Sequence, residues 1–437
     1  MKKVALHNLG CKVNAYEMEV MQQLLTKNGY EIVPFDKEAD IYIVNTCSVT
    51  NIADRKSRQM LHKAKKQNRN AIVVATGCYA QTDTEGARAD ESIDLIIGNN
   101  RKKDLIQILE DYERDHDKTL HHSTVLDIAN EQEYEELKLD RTAEHTRAYI
   151  KIQDGCNQFC SYCIIPYARG RVRSREKANV IQEIEGLAAL GYKEVVLTGI
   201  HLSSYGIDFA DGKPQLLELI RAVQQISGIE RIRLGSLEPR IITEEFSAEL
   251  STLDKICPHF HLSLQSGCDE TLKRMNRHYD TGEYYQKVEL LRKYFHNPAL
   301  TTDVIVGFPG ETEEEFRITR DFLNKVHFYE IHVFKYSRRK GTRADKMPNQ
   351  IPEIVKHERS SILIAENALE ARKYRESYLN QHVEVLLEEQ QKIGDHFYQT
   401  GHTREYIRTA CKTEKDLTNQ VITGIPKRLI TDEILEL

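Results

Sequence analysis

The chain has 437 residues, of which 40% are hydrophobic and 29% charged, with a formal net charge of -6. At roughly 100 to 200 residues per domain this length predicts two to four domains, and no apolar run approaches the roughly 18 residues a membrane span requires. The acidic balance excludes a nucleic-acid binder that works by overall charge, and the opening Met-Lys-Lys-Val-Ala-Leu-His-Asn is too briefly apolar for a signal-peptide core, so a cytoplasmic protein with no membrane partner is expected.

In chain order, residues 1–113 alternate short apolar runs at 4–6, 41–44, 72–75 and 95–97 with helix-like stretches such as 16–28 and 52–66. This alternation predicts an N-terminal open, mostly parallel α/β sheet. Residues 114–141 turn polar and read as a linker or covering segment. Over 142–373 the alternation resumes, with strands expected at 148–153, 194–198, 231–234, 261–264, 302–306 and 332–336. Six such units predict a central partial (β/α)6 barrel whose ligands sit at the C-terminal strand ends. A charged helical stretch at 357–378 follows, and residues 374–437 include period-two runs that predict a small antiparallel β-barrel. The expected class is thus multi-domain α/β.

Nine cysteines in a reducing compartment are better read as ligands than as disulfides where they group. The strongest group is Gly155-Cys156-Asn157-Gln158-Phe159-Cys160-Ser161-Tyr162-Cys163, directly after the first barrel strand. Three thiolates on one short loop hold three irons of a 4Fe-4S cluster and leave the fourth open to an outside ligand. A zinc site is the competing reading, but it would want four ligands, and no second Cys-x2-Cys pair exists. Cys11, Cys47 and Cys78 each follow directly on an expected strand of the N-terminal sheet. Neighbouring parallel strands end on one edge, so the three can converge; three separate core thiols remain the alternative. Cys257, Cys268 and Cys411 have no ligand company and are read as packing residues.

The Cys156–Cys163 loop, with the aromatic Tyr162 between its last two cysteines, resembles the radical S-adenosylmethionine (SAM) superfamily. Gly10-Cys11-Lys12-Val13-Asn14, Asn45-Thr46-Cys47-Ser48-Val49-Thr50 and Thr76-Gly77-Cys78-Tyr79-Ala80-Gln81 are similar to the three N-terminal cysteine motifs of its methylthiotransferase family. The resemblance covers essentially the whole chain. It implies an N-terminal domain holding an auxiliary 4Fe-4S cluster, a radical-SAM barrel, and a C-terminal β-barrel of the RNA-binding TRAM type. It also implies that one SAM donates a methyl group to sulfur on the auxiliary cluster while another is cleaved to the radical that abstracts hydrogen from carbon 2 of an adenine. By the same resemblance, Thr198 and Gly199 would approach the amino end of SAM. Ser236, Glu238 and Gln265 would bind its ribose or methionine groups, and Val306 and Phe308 would flank the adenine.

For RNA, the basic stretch 51–70 offers Arg55, Lys56 and Arg58, the segment after the SAM loop offers Arg169, Arg171, Arg173 and Arg175, and the last domain offers Arg404 with Tyr406. The wording of Lys56-Ser57-Arg58-Gln59, Gln153-Asp154-Gly155-Cys156 and Arg169–Arg175 leans toward the branch that modifies threonylcarbamoyladenosine beside the anticodon. Sister branches act on isopentenyladenosine in tRNA or on a ribosomal-protein aspartate. A non-catalytic RNA-binding iron–sulfur protein is the alternative of another class. The implied partners are a tRNA anticodon stem-loop and an external electron donor of flavodoxin or ferredoxin type.

Overall fold

The computed structural model describes residues 1–114, 122–141 and 146–437. The N-terminal sheet contains β1 (Lys3–Asn8), β2 (Glu31–Val33), β3 (Ile41–Thr46), β4 (Ile72–Gly77), β5 (Leu95–Ile97) and β6 (His122–Thr124), all parallel in the order β2-β1-β3-β4-β5-β6. Every residue of β3 is buried, because successive side chains face opposite sides of a sheet covered on both. Ile41 and Ile43 pack with Met18, Met21 and Leu25 of helix α1 (Lys12–Lys27), whereas Tyr42 and Val44 pack with Leu61 and Ala64 of α2 (Asn51–Gln67). The three-residue strands β2 and β6 escape the sequence pattern, and β6 falls inside the expected linker. That segment covers rather than merely connects: Leu137 and Leu139 pack on Tyr16 and Val20, and the Tyr134 hydroxyl donates to the Lys151 carbonyl at 2.9 Å.

The central strands are β7 (Ala148–Asp154), β8 (Arg173–Ser174), β9 (Glu194–Gly199), β10 (Arg231–Leu234), β11 (His259–His261), β12 (Ala299–Val306) and β13 (Glu330–Lys335). All pair in parallel except the short β8 against β7. Bridges Ile232↔Ile256 and Leu237↔Leu262 join the two sheets, so six parallel strands follow one another as β7-β9-β10-β11-β12-β13. One set of alternating side chains, including Ile150, Ile152, Val195, Leu197, Ile232 and Leu234, packs on helices such as Lys177–Ala189 and Leu216–Gln224. The opposite set is polar: Lys151, Gln153, Glu194, Arg231, Arg233, His259 and His261. Buried polar side chains on that scale must pair or meet a ligand.

The helix Glu353–Glu376 runs unbroken through the expected boundary at 373, and its Ala371 joins Val383, Val385 and Leu387 in the core of the last domain. There β14 (Val383–Ile393), β15 (His396–Thr403), β16 (Arg408–Lys412), β17 (Val421–Gly424), β18 (Arg428–Thr431) and β19 (Ile434–Glu436) form a sheet in the order β17-β14-β15-β16-β19-β18, antiparallel save for β16 with β19. Among the described residues no helix is long and apolar enough to cross a membrane.

Charges hold the domains together. Glu17 of α1 lies 2.8 Å from both Lys151 and Arg169 and 3.2 Å from Lys102, and Asp154 lies 2.6 Å from Lys151 and 3.0 Å from Arg169. Burial opposes ionisation of Glu17, yet Arg169, Lys102 and Lys151 outweigh it and hold the carboxyl well below its ordinary range. Removing one member of a buried pair strands the other charge, at about 3–5 kcal/mol, whereas an exposed pair is worth about 0–1 kcal/mol. Glu17→Gln should therefore lower stability in denaturant titrations by about 3–5 kcal/mol, and Lys2→Ala, which breaks the exposed pair with Glu113, by under about 1 kcal/mol. Equal shifts for the two variants would contradict a structural role for the buried cluster.

Candidate active site

Strands β1, β3 and β4 are neighbours, with Asn8 opposite Asn45 and Thr46 opposite Gly77, so the residues that follow them meet at one edge. Those residues bring Cys11, Cys47 and Cys78. Gly10, at φ +111°, lets the first loop close over the second: a Cβ there would stand 3.2 Å from Cys47 Sγ. The Asn14 amide clamps the two loops by donating to the carbonyls of Leu9 at 2.8 Å and Thr46 at 3.1 Å. Burial pushes the Cys47 thiol up to about 12, and the nearby Cys78 adds to the rise. Such thiols keep their protons at neutral pH unless a metal displaces them. Arg169, donating to Asn14 Oδ1 at 2.7 Å, brings a buried positive charge to the base of this triplet. The donor set fits an anionic thiolate-held cluster.

The second triplet lies on the loop after β7. Gly155, at φ +71°, is required there, because a Cβ would fall 1.8 Å from the Arg171 carbonyl oxygen. The Cys156 amide donates to the Gly170 carbonyl at 3.0 Å. Arg277 Nη1 lies 3.1 Å from Cys160 Sγ and its Nε donates to the Tyr279 hydroxyl at 3.0 Å. Burial raises the Cys156 thiol to about 11, which again suits metal ligation. Cys156, Cys160 and Cys163 line a cavity whose wall also carries His201, Ser236, Glu238 and Gln265. His201 Nδ1 is 2.6 Å from Ser204 Oγ, while its Nε2 and the Tyr336 hydroxyl are buried on the same wall with no hydrogen-bond partner among the described residues. Burial pushes the His201 imidazole down to about 4, so it is neutral at physiological pH. Two orphaned polar atoms in one cavity fit a polar ligand such as SAM.

Val49 and Thr50, just past Cys47, line this same cavity. They are held there by Arg339, which reaches across from the central domain to Ser48 Oγ at 2.8 Å, Asn51 Oδ1 at 2.7 Å and Asp54 Oδ2 at 2.6 Å. The two domains close one chamber, and a loop from each triplet forms its wall.

Of the residues expected to meet SAM, Tyr162, Ser236, Glu238 and Gln265 lie on the cavity wall. Thr198, Val306 and Phe308 are buried off it. The strand pleat explains Val306, since its neighbours Asp303 and Ile305 take the inward positions of β12. Phe308 instead meets Tyr162 edge-on at 6.4 Å. The bare Cα of Gly199 makes room for Gln153, whose Oε1 would be 2.9 Å from a Cβ and accepts from the His201 amide at 2.8 Å. His201, Arg277 and Asp303 were not singled out in the sequence, where isolated polar residues carry no spacing signal.

The expected RNA contacts need correction. Arg169, Arg173 and Arg175 are 0–1% exposed. Arg169 neutralises Glu17 and Asp154, Arg173 donates to the Arg171 carbonyl at 3.3 Å, and Arg175 pairs with Glu183 and Glu136. Two of the four arginines, Arg169 and Arg175, do meet carboxylates, but these are the protein's own, and with Arg173 they are buried at the domain junction. Arg171 alone is exposed, with its guanidinium 4.5 Å over the Phe159 ring. Arg404 Nη2 donates to the Ile256 carbonyl at 2.9 Å, and Tyr406 stacks on His402 at 4.4 Å beneath Arg147 and Arg233, each at 4.8 Å. Both dock the last domain rather than face solvent freely. Arg55 and Lys56 are exposed on α2, and Arg58 lies 5.6 Å over the Tyr79 ring.

Residues 3–98 match the family described as Uncharacterized protein family UPF0004, and residues 150–323 match the Radical SAM superfamily. Over its whole length the chain is 40% identical to the threonylcarbamoyladenosine tRNA methylthiotransferase MtaB of Bacillus subtilis (strain 168), covering 99% of that protein. The chain belongs to the radical-SAM tRNA methylthiotransferase family. Across 93% of its length this methylthiotransferase is also 37% identical to the tRNA-2-methylthio-N(6)-dimethylallyladenosine synthase of Caldicellulosiruptor saccharolyticus, covering 86% of it. Its fold resembles that of the radical S-adenosylmethionine methyltransferase TsrM from Kitasatospora setae, with a TM-score of 0.59 at 17% identity, covering 79% of this chain and 74% of that one. Enzymes of this family use SAM and 4Fe-4S clusters.

With one thiolate set per domain, anaerobic reconstitution should load two 4Fe-4S clusters, about eight irons per chain. Replacing Cys156, Cys160 and Cys163 with alanine should leave about half of that iron and sulfide. Colorimetric iron and sulfide analysis giving a single cluster in the unmodified protein would refute the two-site assignment.

Proposed function

We propose that this enzyme transfers a methylthio group to carbon 2 of N6-threonylcarbamoyladenosine beside the anticodon of tRNA, in the cytoplasm and with electrons from an external flavodoxin- or ferredoxin-type donor. Cys11, Cys47 and Cys78 would hold the auxiliary cluster, and Cys156, Cys160 and Cys163 the SAM-binding one. The six central strands act as a partial (β/α)6 barrel, and the last domain as a TRAM-type β-barrel. The observation that carries this reading is the single cavity bounded by the SAM loop on one side and by Val49 and Thr50, next to Cys47, on the other.

When bound, the clusters supply the electron that cleaves SAM and the sulfur that is transferred, chemistry no side chain can provide. The chain's own residues position and enclose. Arg277, donating to Cys160 Sγ, fixes the loop. His201, neutral, offers Nε2 to a polar ligand, with Ser204 orienting the ring. Gln265 is held at φ +71°, an uncommon backbone for a residue with a side chain, where the strand end turns it into the cavity. Tyr162, backed by Phe308 and Met275, closes the apolar side of the chamber.

The choice of substrate branch is supported by the motif wording and by 40% identity to the threonylcarbamoyladenosine enzyme against 37% to the dimethylallyladenosine one. In an anaerobic assay with dithionite, SAM and matched tRNAs, Cys47→Ala should abolish methylthio product while 5'-deoxyadenosine still forms. Cys160→Ala should lose both products. Methylthio product from Cys47→Ala would break the division of labour, and reaction with isopentenyladenosine tRNA alone would move the enzyme to the sister branch.

A further inference from the structure

The segment 337–346 carries five cations, Arg338, Arg339, Lys340, Arg343 and Lys346, against one acid, Asp345. It leaves the cavity wall at Ser337 and is fixed at two points. Toward the N-terminal domain, Ser337 Oγ accepts from the Asn51 amide at 2.9 Å, and Arg339 makes its three bonds to Ser48, Asn51 and Asp54. Toward the SAM loop, the Ala344 amide donates to the Ser161 carbonyl at 2.7 Å. The segment is therefore a rigid rim of the cavity mouth.

Its ion pairing leaves a surplus. Asp345 is taken by Arg338 at 3.0 Å, and Asp54, the acid in the first turn of α2, is taken by Arg339. Lys340, Arg343 and Lys346 are exposed and, among the described residues, have no carboxylate partner; the same holds for Arg55 and Lys56, one and two residues beyond Asp54. A charge run is often only solvated. Here the cations come from segments of two domains joined by a buried arginine with three acceptors, and both segments adjoin residues of the cavity wall, Ser337 on one side and Thr50 on the other, in a lining that also exposes Val49 (51%) and Phe334 (42%). Fixed cations around an apolar, partly aromatic mouth match a strand that offers phosphates outside and one unstacked base inside.

We propose that Lys340, Arg343 and Lys346 of the central domain, with Arg55 and Lys56 of α2, form a two-domain ledge. The ledge grips the ribose-phosphate backbone of a single-stranded RNA loop while one base enters between Val49 and Phe334. The inference rests on the reading that the substrate is RNA, and it replaces the buried arginines 169, 173 and 175 as the main phosphate contacts. An acidic electron-donor protein is the competing occupant.

The test titrates the cluster-loaded full chain with a tRNA anticodon stem-loop over a range of salt. Each single-strand phosphate contact contributes about 0.7 to the slope of log affinity against log salt. The variant Lys340→Ala/Arg343→Ala/Lys346→Ala should lower that slope by about 2, and Arg55→Ala/Lys56→Ala by about 1.4, with iron content and unfolding temperature unchanged. Lys340→Arg/Lys346→Arg should keep the slope. Unchanged slopes in both alanine variants, with wild-type binding intact, overturn the ledge. Unchanged slopes with slower reduction by an acidic flavodoxin-type protein overturn it too and give the surface to that partner. If the wild type itself shows no salt-dependent RNA binding, the RNA reading fails first.

Discussion

Glu17 belongs to the helix that follows Cys11, yet two of the three cations that neutralise it, Lys151 and Arg169, come from β7 and from the helix after the SAM loop. Three cations and two carboxylates are buried together, and all of them stay paired only in this relative placement of the two domains. Shift the N-terminal sheet by an ångström or two and Glu17 keeps only Lys102 of its own domain, while Lys151 and Arg169 lose their carboxylate across the junction. The same five groups lie between the two cysteine triplets. Their one surplus positive charge reaches Asn14, which clamps the loops of Cys11 and Cys47. A charge cluster of this kind contributes little net stability over an apolar replacement, and what it supplies is a fixed distance and orientation between two reaction centres.

From that fixed placement the chamber follows. The SAM loop is shaped by Gly155 against the Arg171 backbone and held by Arg277 at Cys160. The opposite wall, Val49 and Thr50, is shaped by the loop after Cys47 and held by Arg339. Neither domain alone encloses the cavity. Two centres that must exchange a group need a short, water-poor gap, and a junction between rigid domains provides one more reliably than a loop would.

The interior of the central domain shows a division of the same kind. Outward side chains of its strands are apolar and pack on helices, whereas the inward Glu194, Arg231 and Arg233 of β9 and β10 are charged and are consumed at the junction with the last domain. Arg233 pairs with Glu194 at 2.7 Å and donates to the carbonyl of Arg404 at 2.9 Å, and Arg231 reaches Glu384 at 2.9 Å. These bonds seat the last domain. Residues that look like an RNA-binding set in the sequence, Arg404 and Tyr406, are drawn into that seat.

Much of this protein could be read along the chain. The cysteine spacings, the alternation of apolar runs and the placement of each cysteine after a strand are local or periodic properties, and chemistry that depends on a ligand set within one loop survives without coordinates. The six central strands lie close to where the apolar runs suggest, and so does the three-residue β5, whereas β2 and β6, equally short, were missed because a run of three residues has no period of its own. What the tertiary structure alone decided concerns charge. Arg169, Arg173 and Arg175 read as a basic patch, yet they are buried, while Lys340, Arg343 and Lys346 of the segment 337–346, which show no pattern in the sequence, are exposed and have no carboxylate partner among the described residues. The sequence counts charges; whether one is free depends on partners 15 to 153 residues away, as with Arg169 and its partners Asp154 and Glu17 or Arg231 and Glu384, and pairing at that range exists only once the chain has folded.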